Sequence, residues 1–257
     1  MGKVIAIANQ KGGVGKTTTT VNLAAYLALS GKSVLIVDID PQGNATSGLG
    51  VKKNMLESSV YDVLVRGNTM HSVLCDTPIK GLKVIPANIS LAGAEVEMVN
   101  MQAREAILKT AMKEIRKEYD YVYIDCPPSL GLLTINALNA ADSVFIPVQC
   151  EFYALEGLTQ LLNTVRLVQK NINPELEIEG ALLTMFDART NLSIQVADEV
   201  KKYFRDRIYK TVITRSVRLS EAPSHGVPVA LYDPRSKGAE QYEELAKEVI
   251  ARGEGQQ

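Results

Sequence analysis

The sequence predicts an α/β fold with a mostly parallel, twisted sheet covered by helices on both faces. Short apolar, β-branched runs recur along the chain, and most are followed by a longer segment of helical periodicity. The runs are nearly continuous rather than alternating, as strands buried on both faces require. The 257 residues, 46% hydrophobic and 22% charged, show no repeat, linker-like stretch or low-complexity run, so they are expected to form one domain spanning 1–257.

Taken in order, Val4–Ala8 is a buried strand, too short for a signal peptide or a membrane span. A glycine-rich loop leads into a helix over Thr17–Ser30. Ser33–Val37 is the second strand, stopped by Pro41, and Leu82–Ile85 the third. A long helical pattern follows over Gln102–Glu118. Tyr121–Ile124 is a strand ended by the Pro127-Pro128 pair, and Leu132–Ala141 is a helix. Val144–Val148 and Ile178–Thr184 are strands, each followed by a helix, Ala154–Asn171 and Leu192–Arg205. Thr211–Ile213 is a short last strand, and Gly238–Ala251 a final helix. Ligands of such sheets bind beyond the carboxyl ends of the strands, so functional residues are expected just after these runs.

Net charge is −1 and mean hydropathy is near zero. The whole-molecule field therefore does not favour DNA or an anionic membrane, and any such binding needs a local patch. Cys75, Cys126 and Cys150 are an odd number without CxxC spacing. They imply neither a disulfide framework nor a zinc site, fit a reducing cytoplasm, and are expected to be small buried apolar residues.

After the first strand comes Asn9-Gln10-Lys11-Gly12-Gly13-Val14-Gly15-Lys16-Thr17-Thr18. The glycines allow close backbone approach, so loop amides and the positive end of the next helix converge on a polyphosphate. Lys16 supplies charge to the β/γ-phosphates, and the Thr17 hydroxyl is placed to ligate Mg²⁺. The first glycine of the ordinary P-loop pattern is Gln10 here, and a second lysine, Lys11, stands inside the loop. K-G-G-x-G-K-[ST] marks the deviant Walker-A class of P-loop NTPase. Two further strands end in Val37-Asp38-Ile39-Asp40-Pro41 and Ile124-Asp125-Cys126-Pro127-Pro128. Strand-end aspartates beside a P-loop can hold a metal's water shell or orient an attacking water. The prolines turn the chain over the site, where switch loops sense a γ-phosphate. His71 and His225 have no nucleophile-like neighbours and are expected at the surface or at caps.

Lys11–Thr18, Asp38–Asn44 (DIDPQGN) and Asp125–Leu130 (DCPPSL) resemble the three nucleotide motifs of the ParA/Soj partition ATPases, most closely those of the chromosomal Soj type. Pro147–Gln160, the LLTMFDARTNL stretch and Val217–Gly226 extend the resemblance over nearly the whole chain. It implies ATP and Mg²⁺ as cofactors and an ATP-dependent sandwich homodimer in which Lys11 of each copy reaches the other's nucleotide. It also implies that Asp40 positions the hydrolytic water, and that Asp38 and Asp125 support the metal shell around Thr17. Many relatives carry Pro-Arg-Asn after the late strand, where the first and last residues approach adenine. This chain departs from that pattern with Thr214-Arg215-Ser216, and the resemblance implies that Thr214 and Ser216 take those positions at the base.

Lys201, Lys202, Arg205, Arg207, Lys210, Arg215 and Arg218 face only Asp206 in their stretch, and Arg189 lies upstream. On sequence alone a solvated helix face balanced by Asp198 and Glu199 explains this as well as a DNA patch does. The resemblance favours non-specific double-stranded DNA, held by the backbone through Arg189, Lys201, Lys202, Arg215 and Arg218. It further implies a ParB-type centromere-binding partner and a cytoplasmic, nucleoid-associated location. A MinD-like membrane ATPase is the rival within the superfamily. The last helix argues against it, because Tyr242, Leu245, Ala246, Val249 and Ile250 form a core-docking stripe opposite Glu240, Glu243, Glu244 and Glu248. The tail Gly253–Gln257 is expected to carry no direct membrane anchor. A small-molecule ligase of the dethiobiotin-synthetase kind is a further rival, for which no dedicated substrate residues stand out.

Overall fold

The computed structural model describes residues 2–151 and 154–254. Seven strands match the expected runs to within three residues: β1 (Lys3–Ile7), β2 (Val34–Asp38), β4 (Leu82–Ile85), β5 (Tyr121–Asp125), β6 (Ser143–Gln149), β7 (Glu177–Phe186) and β8 (Ile208–Thr214). The eighth, β3 (Cys75–Asp76), is a two-residue edge strand antiparallel to β4, too short to carry a sequence pattern. The sheet order is β3-β4-β2-β5-β1-β6-β7-β8, and every other pairing is parallel.

Burial on both faces explains the near-continuous apolar runs. Val4, Ala6, Leu35, Val37, Val122 and Ile124 face one core, packed under α3 (Val60–Arg66), α4 (Leu91–Met98), α5 (Ile107–Met112), α6 (Leu132–Ala140), α7 (Ala154–Asn171) and α8 (Asn191–Phe204). Ile5, Ile7, Val34, Ile36, Tyr123 and Phe145 face the other. That core lies under α1 (Lys16–Leu29), α2 (Asn44–Gly48), α9 (Val217–Glu221), α10 (Val229–Tyr232) and α11 (Lys237–Glu254). α3 opens with a reciprocal cap: Tyr61 N–H donates to Ser59 Oγ at 3.3 Å, and Ser59 N–H donates to Asp62 at 2.8 Å.

The expected helix over Gln102–Glu118 is broken. Only Ile107–Met112 is α-helical, followed by a 3₁₀ turn over Ile115–Glu118. Two asparagines of α6 compete for the backbone groups a longer helix would use. Asn136 donates to Arg104 O at 2.8 Å and accepts from Leu108 N–H at 3.1 Å, and Asn139 donates to Glu105 O at 2.8 Å.

The apolar stripe of α11 docks on the core as expected, with Tyr242, Leu245, Ala246 and Val249 buried. Glu248 is a correction, because it does not belong to the exposed acidic face. It accepts from Lys210 N–H (2.9 Å), Thr211 N–H (3.0 Å) and the Thr211 hydroxyl (2.9 Å), while Arg252 donates to Ile208 O at 2.6 Å. α11 thereby satisfies the outer edge of β8, which has no further strand to pair with. Gly253 and Glu254 close α11; the remaining tail, residues 255–257, lies outside the described residues, as do Phe152 and Tyr153 of the Pro147–Gln160 stretch. Among the described residues no helix is long and apolar enough to cross a membrane.

Candidate nucleotide-binding site

The loop joining β1 to α1 lies at the carboxyl end of the sheet and is fastened on both sides. Asn9 donates to Pro147 O at 2.7 Å and accepts from Lys11 N–H at 3.1 Å, and Thr184 of β7 donates to Val14 O at 2.8 Å. Gly13 and Gly15 sit at φ +73° and +88°, a region that disfavours other residues. At Gly12 and Gly13 nothing lies within 4 Å of where a Cβ would stand, so the loop is an open cradle that side chains would fill. α1 begins with no side-chain cap and no acidic residue in its first turn, which leaves its positive end for an anion.

Lys16 is 7% exposed, and its amine donates to Lys11 O at 3.3 Å. Burial lowers its pKa, opposed by the charges of Asp125, Cys126 and Asp40. In-register pairing sets Asp38 of β2 directly beside Asp125 of β5, and Ile7 of β1 beside Asp125 as well. Both carboxylates are fully buried. Asp125 accepts from the Thr17 and Thr20 hydroxyls, each at 2.7 Å. Asp38 accepts from Thr46 N–H (2.8 Å), the Thr46 hydroxyl (2.7 Å) and Asp40 N–H (3.1 Å). Burial holds both pKa values above the ordinary carboxylate range; for Asp125 the neighbouring Asp38 charge adds to it, while for Asp38 the Thr46 bonds oppose it. Asp40, 7% exposed, accepts from Gln42 N–H at 2.9 Å and heads the Pro41 turn.

These residues fit a magnesium ion held mainly by its nucleotide. Thr17 gives its proton to Asp125, so its oxygen keeps lone pairs for a cation. Among the described residues no three His, Cys, Asp or Glu side chains form a metal cage. Asp38 and Asp125 thus suit an outer shell, with their negative charge stored next to the cradle.

Lys11 stands apart from this cluster. Its amine meets Glu151 at 3.3 Å, and Glu151 also accepts from Arg215 at 2.7 Å and Gln149 at 2.6 Å. On the other side of the loop a cavity of about 520 Å³ is lined by Gly15, Thr18, Thr214, Ser216, Leu219 and Tyr242. It opens onto the phosphate cradle and contains both residues expected at the base. A more polar cavity of about 770 Å³ lies at the opposite, amino end of the strands, beside the Lys3–Glu179 and Arg116–Asp142 ion pairs.

The basic stretch is divided by the fold. Arg207 and Lys210 line the amino-end cavity, whereas Arg215 and Arg218 follow the carboxyl end of β8, which spans 208–214 and separates them by roughly 20 Å. The expected DNA contacts are each paired: Arg189 with Asp187 (2.7 Å), Lys201 with Asp198 (3.9 Å), Lys202 with Glu199 (2.7 Å), Arg215 with Glu151 (2.7 Å), and Arg218 with Glu221 (2.8 Å) and Asp233 (3.1 Å). Such exposed pairs hold little free energy and can be exchanged for phosphate. Arg189 and Arg215 follow neighbouring strands; Lys201 and Lys202 lie at the far end of α8. His71 meets Glu118 at the surface and His225 stacks on Tyr232, so neither serves a nucleophile. Thr20, Thr46, Glu151, Thr184 and Gln241 are site residues the sequence did not reveal. Thr20 sits at helical spacing from Lys16 and could have been found; the others are brought in by distant elements.

Residues 2–178 match the family described as AAA domain. The chain is 68% identical over 253 residues to the sporulation initiation inhibitor protein Soj of Bacillus subtilis, covering 98% of this chain and 100% of that protein. It is 53% identical over 252 residues to the chromosome partitioning protein ParA of Myxococcus xanthus, covering 98% and 89%. Among solved structures it resembles one named cobyrinic acid a,c-diamide synthase from Mycobacterium smegmatis, with bound ADP and magnesium, at 39% identity and a TM-score of 0.87, over 100% and 97% of the two chains.

Proposed function

Because this chain belongs to the ParA/Soj family of chromosome-partitioning ATPases, we propose that it works as a single-domain switch that ATP closes into a homodimer. It binds nucleotide with magnesium and hydrolyses ATP in the service of chromosome partitioning. Lys11 carries the dimer proposal, because Glu151 engages its amine while Lys16 supplies the loop's internal charge. A second lysine released from Glu151 is free to reach a phosphate of the facing copy, as an arginine finger does in other phosphoryl transfers. Magnesium, when bound, would neutralise phosphate charge. Thr17 would hold it, with Asp125 fixing the Thr17 hydroxyl and Asp38 fixing the Thr46 and Asp40 backbone, and Asp40 would orient the attacking water.

The closed dimer would place two copies of Arg189, Lys201, Lys202, Arg215 and Arg218 on one assembly that binds nucleoid DNA without sequence preference. A ParB-type partner resets it. Cosedimentation with random-sequence DNA tests this. Retention is expected with ATP and not with ADP, and it should fall steeply between low and moderate salt as counterions are released. Retention that ignores nucleotide or salt would contradict DNA binding by the dimer. The diamide-synthase likeness offers a ligase reading, which turnover dependent on a small-molecule acid would favour over turnover stimulated by DNA.

A further inference from the structure

Thr214 ends the edge strand β8 and lines the cavity beside the cradle. Its backbone N–H and its hydroxyl both meet one atom, Gln241 Oε1 on α11, at 3.0 and 3.1 Å. A backbone amide can only donate, so the Gln241 atom it meets must be the carboxamide oxygen and not the nitrogen. That oxygen can only accept, which commits the Thr214 hydroxyl proton to it. Towards the cavity Thr214 Oγ1 therefore presents lone pairs alone.

The other hydroxyls nearby do not impose the same choice. Ser216, Ser220 and Thr18 make no side-chain hydroxyl bond among the described residues, and the Tyr242 hydroxyl meets only Thr19 Oγ1, at 3.1 Å with either atom able to donate, so each can donate or accept. Thr184 has its proton on Val14 O, but it sits beneath Gly15 at the phosphate end.

Building on the proposed ATP switch and on the expectation that Thr214 lies at the base, we infer that Gln241 is a positioning residue that sets base preference by fixing Thr214 as an acceptor. An exocyclic amino group, as on adenine, can donate to this oxygen. A keto oxygen at the same position, as on hypoxanthine or guanine, sets lone pair against lone pair and leaves the acceptor unpaired. Gln241 acts from outside the cavity, through a hydrogen bond that a proline at 214 could not make.

A purely structural role is the competing account, since Gln241 continues the edge-capping row of Glu248 and Arg252 on α11. Loss of a mere cap would weaken all nucleotides alike. The test is competition of ATP and ITP, which differ in the amino and keto groups of the base, against a fluorescent ADP analogue with magnesium on the full chain. Wild type is expected to prefer ATP by roughly three- to tenfold, the scale of one neutral hydrogen bond. Gln241→Ala and Gln241→Leu should bring the two affinities towards parity, and Gln241→Glu, which keeps both acceptor bonds, should retain the preference. Thr214→Val should also remove it, with no further change on adding Gln241→Leu. An ATP-to-ITP ratio unchanged in the Ala and Leu variants, or unchanged in Thr214→Val, overturns the inference. Ser216→Trp, which fills the cavity, separates the two levels. Unchanged affinity for both nucleotides would show that the base binds elsewhere and would end the inference with it. Lowered affinity with an unaltered ratio in the Gln241 variants would sink the role of Gln241 alone.

Discussion

Lys16 is buried, and among the described residues its amine has only a backbone carbonyl within hydrogen-bond reach; burial lowers its pKa against the nearby charges of Asp125 and Asp40. A phosphate would supply a further partner. Lys16→Ala should therefore abolish nucleotide binding in a fluorescent-nucleotide titration while the chain stays folded by circular dichroism. Thr17→Ala should instead keep nucleotide affinity without metal and lose the gain that magnesium gives; a variant still fully magnesium-dependent would remove Thr17 from the metal site. The thiols give a further residue-scale test. Burial pushes Cys150 up to about 11 and Cys126 higher still, whereas Cys75 is half-buried, contrary to the uniform burial expected of all three. At pH 8 a disulfide reagent should titrate at most one thiol in the native chain and all three after denaturation, because only an accessible thiolate reacts. Lys11–Thr18 and the strand-end aspartates could be read from the sequence because their chemistry is contiguous in the chain. Thr46, Glu151 and Gln241 could not, since they reach the site only through sheet order and helix docking.

Strands and long helices were legible wherever period and length agreed, and the failures have local causes. The 102–118 pattern has helical spacing, but Asn136 and Asn139 of α6, across bonds spanning 28 to 34 residues, take up its backbone groups. The short α2, α9 and α10 offer too few turns for periodicity to register, whereas α3 did carry a readable signal in Ser59-x-x-Asp62. Glu248 shows how a polar residue counted as solvent-facing can belong to an edge. Three bonds to Lys210 and Thr211 converge on its carboxylate, 15% exposed at the side chain. Glu248→Ala would leave two backbone donors of β8 without a protein partner and should cost about 1–3 kcal/mol in urea denaturation. Glu243→Ala, one exposed partner of Lys247, should cost well under 1 kcal/mol by the same measurement. Equal losses in the two variants would contradict the edge-capping role.

For the molecule as a whole, the net charge is −1, and each of the five expected DNA-contacting cations stands beside a carboxylate. Glu151 links the two halves of the proposed switch, holding both Lys11 and Arg215. Releasing Lys11 to a facing nucleotide would leave that carboxylate to Arg215 and Gln149, so closure and DNA contact would be adjacent events in the fold. All of this requires two copies to clasp the triphosphate. Sedimentation velocity with magnesium and a non-hydrolysable ATP analogue measures that directly, on wild type and on Lys11→Ala. Wild type should sediment as a dimer with the analogue and as a monomer with ADP, while Lys11→Ala binds the analogue yet stays monomeric. A wild-type chain that remains monomeric at saturating analogue, or a Lys11→Ala chain that dimerises as readily, would contradict the account.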